Sequence, residues 1–207
     1  MQTKIRGVNQ AGNEQDVRVT ENGLIVTVTA QILWTAKGYG FQAMSTTGIA
    51  ALVVRPSVTA EFTLFNNESG GGKHYVIERV MAHQLVSGAA QNFFQLWLCS
   101  HPTGMTAPTN DITVRNRTNG TAAGGSVSIV DVGATVVDDG WFPWGVAGET
   151  EEAGVLPGGG ICADISGRII VPPQGGISAA ILAGDVNTDC TIGMHWFEVP
   201  EGELTVA

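Results

Sequence analysis

The sequence predicts an all-β protein of antiparallel strands, folded as a sandwich or a closed barrel. Apolar residues recur with period two or in short β-rich runs bounded by turn residues. No apolar stripe of helical period with caps extends beyond a turn or two. Of 207 residues, 28 are glycine, 43% are apolar and only 14% are charged. So apolar a chain buries a real core, and so few charges fit strands joined by turns with a surface partly covered by neighbours.

The elements follow in order. QDVRVT (15–20) and LIVTVTAQILW (24–34) flank Glu21-Asn22-Gly23, and Asn-Gly between two such runs signals a hairpin. IAALVVRP (49–56) stops at Pro56, which cannot donate to a ladder. VTAEFTLFN (58–66) alternates, with Phe62 and Leu64 on one face and Thr63 and Phe65 on the other. NNESGGGK (66–73) reads as an exposed connection, with GGGK (70–73) as a flexible hairpin tip, before the long strand HYVIERVMAHQLV (74–86). QNFFQLWLCS (91–100) reads as a strand buried on both faces. DITVRNRT (111–118), SVSIVDVGATVV (126–137), GRIIVPP (167–173), ISAAILA (177–183) and TIGMHWFEV (191–199) complete the strands. VAGETEEAGVLPGGG (146–160) is a loop by composition, and a short helix is expected only around 87–92 or 149–153. Two units result: an N-terminal arm or hairpin over 1–30 and one sandwich domain over 31–207.

The net charge of −9 is unevenly placed: nine Lys/Arg against seven Asp/Glu in 1–117, then one (Arg168) against twelve in 118–207. Direct nucleic-acid binding needs clustered basic residues and is not expected. Cys99, Cys162 and Cys190 are odd in number and lack CxxC spacing, so no disulfide framework is expected, as suits a reducing cytoplasm. The opening MQTKIRGVNQ has no apolar signal region and no stretch reaches 18 apolar residues, so no membrane span is expected.

Site motifs are sparse. GGGK (70–73) lacks the phosphate-loop spacing, no G-x-S-x-G elbow occurs, and His74, His83, His101 and His195 show no ligand or triad spacing. No catalytic residue, cofactor or metal is therefore expected. The dense feature is VVDDGWFPWG (136–145). Adjacent carboxylates such as Asp138 and Asp139 point to opposite faces of a strand and would not straddle one glycosidic bond. The rings leave two readings: a sugar-stacking shelf, or a plug that closes the sandwich or meets a neighbouring subunit.

Three stretches, RGVNQAGNEQDVRVTENGLIVT (6–27), TLFNNESGGGKHYVIERVMAH (63–83) and VVDDGWFPWG (136–145), together about a quarter of the chain, resemble virion structural proteins of tailed bacteriophages. The resemblance implies a jelly-roll-like β-sandwich acting as an auxiliary capsid protein of the decoration or cement type, without catalysis or cofactor. It implies synthesis in the bacterial host's cytoplasm and a place in the virion, against the major capsid protein or other virion proteins. A homo-oligomer, with a trimer favoured, suits lattice symmetry. The expected interface residues are Val17, Val19 and Leu24 of the arm, with Trp141, Phe142, Pro143 and Trp144. The alternative is a tail-fibre or receptor-binding, carbohydrate-binding module that uses the Trp141–Trp144 loop.

Overall fold

The computed structural model describes residues 6–8, 14–16, 29–88, 93–109, 111–136, 140–148 and 159–204. Among these are fourteen strands and two helices: β1 (Arg6–Val8), β2 (Glu14–Asp16), α1 (Ala30–Ala36), β3 (Gly40–Met44), β4 (Ile49–Ala50), β5 (Phe62–Phe65), β6 (His74–Val86), β7 (Phe93–His101), β8 (Arg115–Asn116), β9 (Ile129–Asp131), β10 (Phe142–Gly148), β11 (Gly160–Asp164), β12 (Ile170–Val171), β13 (Gly176–Ala183), β14 (Asp189–Val199) and α2 (Glu201–Leu204).

β1 and β2 pair antiparallel, Gly7 opposite Gln15. The expected hairpin of 15–20 with 24–34 falls mostly outside the described residues. Its last part is corrected: AQILWTA is helix α1, not strand. The β-branched run ends at Thr29, whose side chain caps the helix by accepting from the Ile32 N–H at 3.5 Å, and Ala, Gln and Leu then favour helix.

The remaining strands build two sheets. One is ordered β10-β7-β13-β5-β9. The other is ordered β11-β6-β14-β3-β8, with β12 added on β6 and β4 on β14. Eight strands form a nested set: β3 pairs with β14, β5 with β13, β6 with β11 and β7 with β10, each antiparallel. First with last, second with second-last and so inward is the jelly-roll arrangement of a β-sandwich. The antiparallel directions bring the β3–β5, β6–β7, β10–β11 and β13–β14 connections to one end and the remaining connections to the other.

Between the sheets lies the core, with Phe62, Leu64, Tyr75, Leu96, Ile181 and Trp196 among its side chains. The β6 boundaries agree with the sequence expectation. Residues 66–73 are a connection as expected, but GGGK (70–73) is no hairpin tip, because β5 and β6 belong to different sheets and the segment crosses between them. The buried Asn66 side chain holds that crossing, donating to the Lys73 and Val171 carbonyls at 2.9 and 3.1 Å. The expected strands at 111–118 and 126–137 shrink to β8 and β9, which extend the two sheets beyond β3 and β5. No helix forms at 87–88, and residues 149–153 lie outside the described residues.

Candidate functional site

Of the two aromatic readings, the coordinates bear first on Trp141. It is only 5% exposed, packed with Ala60, Cys99, Ala134, Val136 and Ala180 on the outer face of the five-stranded sheet. Its indole N–H donates to the Ser57 carbonyl at 2.7 Å. The next residue, Phe142, is 66% exposed. Pro143, also exposed, sits in β10 at the sheet edge, where a missing N–H costs no ladder bond to a further strand. The β10–β7 register shifts between Pro143 and Gly145. This irregularity accompanies the turn of Trp144 inward, where it is half-buried against the main core with the Arg168 guanidinium 5.4 Å from its ring centroid. The run thus divides into a buried plug, two exposed residues and a half-buried anchor. Val17, Val19 and Leu24, as well as Asp138 and Asp139, lie outside the described residues.

Beside the Trp141 plug lies a pocket whose lining shares Cys99, Ala134 and Val136 with it. After β7 the chain runs through 102–109 across the outer face of the same sheet and borders this half-open pocket of about 780 Å³, lined by Cys99, His101, Met105, Asp131, Val136 and Gly140 among others. A space of this size accommodates a small-molecule ligand. Cys99 and His101 are two apart on β7 and share a face. The Cys99 Sγ lies 4.0 Å from His101 Nδ1, and His101 Nε2 lies 2.8 Å from Ser178 Oγ. Ser178 in turn lies 2.8 Å from Thr63 Oγ1. Register explains the meeting, since Ser178 is opposite both Cys99 on β7 and Thr63 on β5. His101 is 6% exposed, and Thr63 and Ser178 are wholly buried. Burial lowers the His101 pKa below its ordinary value and keeps the ring neutral near pH 7.

On another wall, Asp131 accepts from the Thr109 N–H at 3.0 Å, which ties the covering segment to β9. Burial and the neighbouring Asp111 carboxyl push the Asp131 pKa up to about 6. Among the described residues no group of three His, Cys, Asp or Glu side chains is placed to hold a metal ion. A smaller cavity, about 330 Å³, lies beside Gln42, Met44, Met81, Arg115 and His195.

The pairing of Cys99 with His101 was passed over in the sequence, although residues two apart on a strand share a face. Their Ser178 and Thr63 partners come from distant strands and were not legible there. Comparison of the chain with family models, curated proteins and solved structures gave no match.

Proposed function

We propose that this chain is a non-enzymatic structural protein of a tailed-bacteriophage virion, a capsid decoration or cement protein that forms homo-oligomers, a trimer being favoured, and stabilises the shell through protein–protein contacts. The resemblance of its three stretches to such proteins supports the reading, and so does its β-sandwich. The observation that carries it is the apolar end of that sandwich. Val53, Val54, Leu85, Val86 and Val186, 46–68% exposed, all lie at the end where β3–β5, β6–β7 and β13–β14 connect. A docked partner that covers these side chains takes their apolar surface out of water. Exposed Phe142 and Val146 on the edge strand β10 add a second apolar contact surface.

The carbohydrate-binding alternative has less support, because Trp141 has no free face for a sugar. The test is to add purified protein to particles lacking it and to measure its mass in solution by light scattering. Wild type associates and binds particles, while Val54→Asp with Val186→Asp abolishes binding and remains folded. A strictly monomeric protein that ignores particles, or glycan binding lost in Trp144→Ala, overturns the proposal.

A further inference from the structure

We propose that Cys99 is a primed nucleophilic thiol with His101 as its base, and that the cavity under residues 102–109 admits a small, uncharged activated alkene to it. The proposal does not rest on the assembly reading. A nucleophile needs a base within reach, and the base needs a third group to orient it. All three are present. For Nδ1 to take the thiol proton, Nε2 must carry the other one and donate to Ser178 Oγ, which then donates to Thr63 Oγ1. In that tautomer the donors run in one direction, from His101 through Ser178 to Thr63, and both hydroxyls are buried.

The cavity supplies the approach. Cys99 is 2% exposed overall yet lines the half-open pocket. Cys190, by contrast, is 0% exposed in the core between the sheets. Pro102, Met105, Ala134 and Val136 make the cavity wall largely apolar, and the Asp131 carboxyl on it disfavours an anion. A neutral conjugated alkene fits that chemistry. In the step, the sulfur lone pair forms an S–C bond to the β-carbon and the alkene π pair moves toward the carbonyl. The thiol proton passes to Nδ1 and then to the α-carbon. The imidazole ends neutral, and no oxidant or reductant is consumed.

N-ethylmaleimide tests this on the folded full-length protein, with mass mapping of each cysteine over time. Cys99 reacts about ten-fold or more faster than Cys190, and His101→Gln slows it about ten-fold or more. Ser178 is a positioning residue, so Ser178→Ala shifts the pH profile of Cys99 labelling without changing that of Cys162. Cys99 labelling no faster than Cys190 overturns the proposal, as does an unchanged rate in folded His101→Gln. If that variant does not fold, an unchanged pH profile in Ser178→Ala overturns it equally.

Discussion

On the five-stranded sheet, β5 is buried at all four positions and β13 at seven of eight, whereas on the seven-stranded sheet β11 alternates buried with exposed residues and β3 does so from Phe41 onward. Both sheets share one core, so the difference arises outside it. The segment between β7 and β10 lays Ala134, Val136 and Trp141 over Ala60, Cys99 and Ala180. The corresponding cover on the other sheet is α1, which has no fully buried residue and touches Phe197 through a half-buried Trp34, ring centroids 5.5 Å apart. A sandwich needs only its inner faces buried. The extra layer brings polar groups out of water: Glu61, Thr63, His101 and Ser178 are all buried.

Removing the cover is expected to have the largest effect. Trp141→Ala loses the plug and its bond to Ser57, and lowers unfolding stability by about 3–5 kcal/mol in urea titrations. Glu61 comes next. One of its oxygens accepts from the Ile181 N–H, the other has no partner among the described residues, and burial pushes its pKa up to about 8 from 4.5. The folded state therefore holds the proton more tightly than the unfolded state. Its stability is greatest below pH 4.5 and declines as pH rises toward 8. Glu61→Gln removes that decline, matching wild type at pH 4.5 and exceeding it by roughly 2–4 kcal/mol at pH 8, as paired urea titrations will show. On the seven-stranded side Trp34→Ala costs only about 1–2 kcal/mol, since its ring keeps solvent contact. Met44→Thr, on the bare face, stays within about 0.5 kcal/mol by thermal melting. Equal losses at Trp34 and Trp141 would erase the distinction between the two faces.

Part of this contrast was legible. ISAAILA is apolar at every position but Ser178, as suits a strand buried on both faces, and HYVIERVMAHQLV had sharp turn boundaries. β3, β10 and β11 escaped notice because GFQAM, FPWGVAG and GICAD carry glycine or proline, and their pairing partners rather than local propensity make them strands. α1 was hidden inside a β-rich run whose period changes at Thr29. The aromatic cluster was visible as a cluster, but which ring turns inward depends on the β10 irregularity and on an outer face assembled from distant segments. The cavity likewise needs strand register, which alternation alone does not fix.

The nested pairing has a consequence for biosynthesis. Gly40–Met44 leaves the ribosome long before its neighbour, Gly193–Phe197, is translated. Until then the nascent chain carries an unsealed strand beside an incomplete interior, a state prone to aggregation. Loss of β14 would thus cost the whole sandwich, and maturation speed is set by the slow meeting of the chain's distant parts.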